Sequence, residues 1–184
     1  MSREKFIRHI GLEKRYSRHT ITAYNRDLQQ FEAFLSDNYP DTFPENSKAA
    51  HIRSWMIKLM DEQYSSITIS RKLSSLRSFY NFLQMAGILS ANPAEGIQSP
   101  KKACQLPDFV NEHDMKLLFT ELGFGDDFQG MRERLIFELF YMTGIRREEL
   151  INIQKGDIDF SGATIKIHGK RRKDRILPLA NNVL

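Results

Sequence analysis

The sequence predicts a mainly α-helical protein with a small antiparallel β-sheet, divided into two parts. Apolar residues recur at helical spacing through the first half of the chain. A proline-rich stretch, "ANPAEGIQSPKKACQLPDF", then interrupts the pattern. In the last 30 residues or so, the apolar residues alternate instead, which is the period of strands. We therefore expect a four-helix domain followed by an incomplete α+β domain.

Four helices are predicted in the first part, each from an apolar stripe with a period near 3.6 residues. Hydroxyl side chains at three of the starts are placed to cap the first turn. Gly87 lies where a glycine that ends the fourth helix belongs. Four helices with short joins form a small bundle. The predicted starts, in chain order, are Arg3, Thr20, Ser47 and Ser65 or Ser66.

We place the first domain at residues 1–98, a linker at 99–108 and the second domain at 109–184. The second domain is predicted to hold three helices and a three-stranded meander. The helices are expected after Asn111, from Gln129 to Thr143 and from Arg146 to Gln154. Such a sheet on three helices is small for a finished domain, so we expect the chain to be the N-terminal part of a longer protein.

Composition narrows the class of protein. No apolar run reaches the length of about 18 residues that a membrane-spanning helix needs, and no signal peptide is evident. The single cysteine, Cys104, excludes an intrachain disulfide and a cysteine metal cluster, and it fits the reducing cytoplasm. The chain has a net charge of +4, and residues 1–104 alone carry +5, which favours a nucleic-acid partner.

The fourth predicted helix has a polar and basic face. Small hydroxyls and long cations there suit a helix that lies against DNA, since they reach phosphates and base edges. The second helix offers similar residues on its polar side. The alternative is an ordinary solvated face, which most basic helix faces are. The candidate DNA contacts are Thr22, Arg26, Arg71, Lys72, Ser74 and Arg77.

The stretch "TGIRREEL" places two arginines and two glutamates beside the most apolar region of the chain. One interpretation is a set of surface ion pairs of little consequence. The other is that Arg146, in the first turn of a new helix after Gly144, binds an anion together with the helix N-terminus. Glu149, one turn later, would then orient the guanidinium. The residues alone do not decide between them.

The stretch "HGKRRKDR" is a predicted hairpin turn rich in cations. It could be a phosphate clamp, with Lys170 pushed into a neighbouring site, or an exposed loop.

These segments resemble a known family. "FYMTGIRREELINIQKGDID" is similar to the first signature of the tyrosine recombinases, the phage-integrase family, and "TIKIHGKRRKDRILPL" resembles the hairpin that follows it. "YSRHTITAYNRDLQQFEAFL" and "ISRKLSSLRSFYNFLQMAGILSANPAEGIQSPKK" resemble its helical, SAM-like core-binding domain and linker. The resemblance covers nearly the whole chain and is greatest to the Xer-like recombinases.

The resemblance implies roles for three residues. Arg146 corresponds to the catalytic arginine that grips the scissile phosphate, Glu149 to its supporting carboxylate, and Lys170 to the general acid that protonates the leaving 5′-hydroxyl. The family cleaves DNA through a 3′-phosphotyrosine link, without metal or ATP, so the resemblance implies no metal and no cofactor. It also implies a double-stranded recombination site as partner, a homotetramer on DNA for the full-length protein, and a cytoplasmic location; we expect this chain alone to be a monomer.

One departure from the family pattern matters. The second signature, His-x-x-Arg, and the nucleophilic tyrosine are expected beyond Leu184, and all six tyrosines precede Arg146. We expect a chain that binds DNA and lacks the nucleophile. Two alternatives stay open: a noncatalytic DNA-binding protein that occupies recombination or regulatory sites, and a helical adaptor between proteins.

Overall fold

The computed structural model describes residues 2–101, 109–120, 123–169 and 173–179. The chain divides into two compact units, Met1–Gln105 and Leu106–Leu184. Within these residues, the first unit contains four α-helices, and the second contains three α-helices and a three-stranded sheet. The predicted fold class is therefore confirmed. Within the described residues, no helix combines the length and the apolar character required to cross a membrane.

The first unit is a helical bundle around one apolar core. Its helices are α1 (Ser2–Leu12), α2 (Arg18–Asn38), α3 (Ala49–Asp61) and α4 (Ser66–Met85). The core includes Phe31 of α2, Trp55 of α3 and Tyr80 of α4, all nearly inaccessible to solvent. Ala94 and Ile97, in the segment after α4, also pack into this core.

Two of the predicted helix caps are wrong, and both corrections have a local cause. The cap of α2 is Ser17, whose hydroxyl accepts a hydrogen bond from the backbone N–H of Thr20 at 3.2 Å. At α3 the cap position is Lys48, and its N–H donates to the ring of His51 at 3.1 Å. The hydroxyl of Ser47 instead lies 2.5 Å from that of Tyr80, so it joins the core rather than the helix end.

The second unit contains α5 (Glu112–Thr120), α6 (Phe128–Thr143) and α7 (Arg147–Ile151). Asn111 caps α5, as expected, through the N–H of Asp114. The strands β1 (Ile158–Asp159), β2 (Thr164–His168) and β3 (Asp174–Pro178) pair antiparallel in the order β1-β2-β3. Ile165 and Ile167 of β2 face the small core of this unit. Arg175 lies opposite Ile167, on that same core-facing side of the sheet.

Candidate functional site

The turn between α6 and α7 fixes where Arg146 lies. Gly144 ends α6 in the left-handed conformation, with φ of 57°, which glycine adopts without strain. Ile145 is buried in the core of the second unit. The hydroxyl of Thr143 accepts from the N–H of Ile145 at 3.3 Å. The sequence Thr-Gly-Ile therefore anchors the chain immediately before Arg146.

The helix that follows is shorter than expected, and Arg146 lies just before its first turn rather than in it. Arg146 is the N-cap residue, and α7 covers only Arg147–Ile151 rather than extending to Gln154. The backbone N–H of Arg146 already donates to the carboxylate of Glu149 at 3.1 Å. The interpretation in which Arg146 binds an anion together with the helix N-terminus stays a prediction. The side chain of Arg146 is nevertheless 73% exposed, so its guanidinium can be reached from solvent.

Glu149 lies between two arginines. Its Oε1 accepts from Nη1 of Arg146 at 2.8 Å and from Nη1 of Arg175 at 3.1 Å. Its Oε2 accepts from Nη2 of Arg175 at 2.7 Å. The side chain of Glu149 is 7% exposed. The backbone N–H of Arg146 also donates to the carboxylate, which therefore accepts four hydrogen bonds. We call Arg146, Glu149 and Arg175 the carboxylate clamp.

Hydrogen bonds keep the clamp charged over a wide pH range. Those from Arg175, and next the one from the backbone of Arg146, lower the pKa of Glu149 to about 2. Because this pKa is lower than the unfolded-state value of 4.5, the ionised carboxylate stabilises the folded state fully at a pH above 4.5. That contribution is lost as the pH falls through about 2. The clamp carries two positive charges and one negative, so it keeps one net positive charge at neutral pH.

Arg147 has a different environment from Arg146. Its Nη2 donates to Glu148 at 2.7 Å, and the two side chains are 78% and 63% exposed. An exposed pair of this kind contributes little. Arg147 therefore forms a surface ion pair, whereas Arg146 belongs to the clamp.

The hairpin between β2 and β3 begins at Gly169, whose N–H donates to the carbonyl of Lys173 at 3.1 Å. A Cβ on Gly169 would collide with that carbonyl oxygen, so the close approach requires glycine. Lys170 lies outside the described residues. At the base of the hairpin, the ring of His168 bridges Asp157 at 3.0 Å and Asp174 at 3.1 Å.

We expect His168 to titrate above its usual range. The hydrogen bond to Asp157, and then that to Asp174, raise its pKa from 6.5. The stability this gives is fully present below pH 6.5 and is lost as the pH rises through the higher folded-state pKa. Ring-proton NMR should show a midpoint above 6.5 that moves down in Asp157→Asn. An unchanged midpoint in that variant would contradict the bridge, and Asp159→Asn on β1 is the matched control.

The candidate DNA contacts of the first unit separate into two groups. Thr22 and Arg26 of α2 and Arg71 and Ser74 of α4 are exposed. Lys72 is buried, at 3% exposure, and its ammonium contacts the carboxylate of Asp27 at 3.1 Å. Arg77 is turned to the carbonyls of Ala94 and Ile97, which it holds against the bundle.

A buried carboxylate joins α2 to α4 behind the exposed group. Asp27 is 1% exposed and accepts from the guanidinium of Arg71, the ammonium of Lys72 and, at 2.7 Å, the hydroxyl of Ser75. Arg71 binds it end-on, through Nη1 and Nη2, and remains 46% exposed on its side chain. Both bonds to Asp27 use Nη atoms, so the Nε edge of that guanidinium takes no part in them.

Two family models match the chain. The N-terminal SAM-like domain of phage integrases matches residues 4–87, and the phage integrase family matches residues 108–184. The chain belongs to the phage integrase, or tyrosine recombinase, family. The first match contains the α2–α4 face, and the second contains the clamp.

Curated relatives in the tyrosine recombinase family align along almost all of this chain. The tyrosine recombinase XerC of Staphylococcus carnosus is 37% identical over 178 residues, which is 97% of this chain and 59% of the relative. A tyrosine recombinase of Pseudothermotoga lettingae is also 37% identical, over 97% of this chain and 60% of its own length. The chain thus spans about three fifths of the length of the relatives it matches.

Solved integrase structures share the fold. The Tn1549 transposon integrase in complex with transposon right end DNA superposes with a TM-score of 0.76 at 18% identity, over 99% of this chain and 61% of that one. A lambda integrase tetramer bound to a Holliday junction gives 0.74 at 16% identity, over all of this chain and half of the other.

Two residues of this chain were missed as site residues by sequence reasoning. Arg175 stands in the stretch "TIKIHGKRRKDRILPL" that resembles the family's hairpin, and the strand period places it on the same face as Leu177. A cation on a core-facing position signals a buried partner, which is Glu149. Asp27 likewise stands directly before Leu28 on the apolar stripe of α2, where an acid needs a cationic partner.

Proposed function

We propose that this chain is the DNA-binding and phosphate-gripping part of a site-specific tyrosine recombinase. The single observation that carries this is the clamp, where an exposed guanidinium follows a buried anchor and is oriented by a carboxylate that Arg175 also holds. A guanidinium oriented in this way stabilises the extra negative charge of a pentavalent phosphate. Arg146 is the catalytic arginine, and Glu149 orients it.

The remaining assignments follow from the family. Lys170 is the general acid for the leaving 5′-hydroxyl, and the nucleophilic tyrosine belongs to a part of the recombinase that this chain does not hold. The partner is a double-stranded recombination site in the cytoplasm, bound as a homotetramer by the longer protein. This chain by itself is a monomer. Relatives of known fold support the partner, since the solved integrases were captured on DNA, one of them as a tetramer.

The first unit is the main DNA-binding surface. Residues 1–104 carry a net charge of +5, and the exposed group on α2 and α4 consists of Thr22, Arg26, Arg71 and Ser74. Lys72 and Arg77 support this surface from behind rather than contacting phosphates, because both are engaged with groups of the bundle.

We expect duplex DNA to bind with an affinity that falls steeply with salt, because neutralised phosphates release their counterions. Arg71→Ala should weaken binding by about 1–3 kcal/mol if the arginine reads a base. Fluorescence anisotropy with a labelled duplex at several salt concentrations measures both effects. Lys58→Ala is the matched control, since it removes one charge from α3, where Lys58 pairs with Glu62. Equal losses in the two variants, or an affinity insensitive to salt, would refute this surface.

A further inference from the structure

Arg175 contributes more to the clamp than a single ion pair. It binds Glu149 end-on with both Nη atoms, at 3.1 and 2.7 Å, whereas Arg146 reaches the carboxylate with one Nη at 2.8 Å. The side chain of Arg175 is 34% exposed and that of Arg146 is 73% exposed. The two parallel bonds from Arg175 fix the plane of the carboxylate. The guanidinium of Arg146, which is more exposed, then binds to the carboxylate from the side that Arg175 leaves open.

The position of Arg175 in the sheet gives this contact a second consequence. Arg175 is two residues beyond Lys173, which closes the hairpin with Gly169. It lies opposite Ile167, which is buried, so its backbone is fixed by the ladder. The side chain therefore connects the stem of the β2–β3 hairpin to α7 through Glu149.

We propose that Arg175 is a positioning residue. It holds Glu149 in place and thereby orients the guanidinium of Arg146. Through Glu149 it also connects the stem of the β2–β3 hairpin to that guanidinium. This rests on the proposed function for its catalytic meaning, because that function makes Arg146 the catalytic arginine. Arg175 itself does not touch the phosphate in this scheme. Without the side chain of Arg175, the guanidinium of Arg146 has no fixed orientation.

NMR on this chain without DNA tests the proposal through two signals. In the unaltered protein, the side-chain carboxyl carbon of Glu149 should show no titration above about pH 3, and the Nη signals of Arg146 should be resolved, because rotation of its guanidinium is restricted. In Arg175→Met, which keeps an apolar stem, the Glu149 titration should move up toward its usual range. The Arg146 signals should then merge into one average. Arg175→Lys, which keeps the charge without the fork, should restore the titration only in part.

Lys166→Met is the matched control. Lys166 lies on the opposite face of the same sheet, pairs with Asp174 at 3.3 Å and does not contact Glu149. It should leave both signals unchanged, and amide spectra of all variants report whether they fold. If folded Arg175→Met retains the Glu149 titration and the resolved Arg146 signals, the proposal is overturned. Since neither measurement contains DNA, this failure is distinct from a failure of the DNA-binding assay.

Discussion

Arg146→Ala is expected to slow DNA strand cleavage by about 100- to 1,000-fold in a recombinase that extends this chain to the length of its relatives, because a charged donor to the transition state is lost. The effect should be on the cleavage step rather than on DNA affinity, since one exposed cation adds little to a surface with many. Single-turnover cleavage of a nicked duplex, beside a binding assay on the same duplex, separates the two.

The neighbouring arginine supplies the control for that experiment. Arg147→Ala removes the same charge one residue away, from a pair with Glu148 that is exposed on both sides. Its cleavage rate should stay close to that of the unaltered protein. If Arg147→Ala abolishes cleavage and Arg146→Ala does not, the register of the signature is shifted by one residue, and Glu149 loses its assigned role.

Asp27→Ala should destabilise the first unit by about 3–5 kcal/mol, because it leaves the buried ammonium of Lys72 without its carboxylate. Urea unfolding followed by the fluorescence of Trp55 reports on this unit alone, since Trp55 is the single tryptophan and is buried there. Asp37→Ala, at an exposed position of the same helix, should change stability by no more than about 0.5 kcal/mol.

A double variant tests whether Asp27→Ala is destabilising because it leaves Lys72 without its carboxylate. Replacing both charges, as in Asp27→Leu with Lys72→Met, removes the buried ions together and should recover much of the lost stability. An additive loss in the double variant would mean that Asp27 acts mainly through Arg71 and Ser75, its two other partners.

Most of the fold was predictable from the sequence because its signals are local. The apolar stripes gave all four helices of the first unit, Gly87 and Gly144 marked helix ends, and alternation gave the three strands. The errors lie at helix boundaries: the caps of α2 and α3 are wrong, and α7 ends at Ile151 rather than at Gln154. Ser17 and Thr20 are both plausible caps, and the backbone angles that favour Ser17 are not visible in the sequence.

The site was less predictable because it depends on contacts between distant residues. Arg146 and Glu149 are three positions apart and could be paired from spacing, whereas Arg175 is 26 residues from Glu149. The inward direction of Lys72 and Arg77 depends likewise on Asp27, 45 residues away, and on the carbonyl groups after α4. Helical spacing locates a cation on a face, but tertiary partners decide whether it points to solvent.

The buried network of Asp27 also constrains how this domain can evolve. Replacement of the aspartate alone leaves the buried ammonium of Lys72 without its carboxylate, and replacement of Lys72 alone leaves the carboxylate with fewer donors. Neutral drift therefore has to pass through paired replacements, and positions 27 and 72 should change together among relatives. Exposed positions such as Thr22 and Arg26 are free of that restraint. Replacements can then accumulate at the surface while the charges beneath it stay the same.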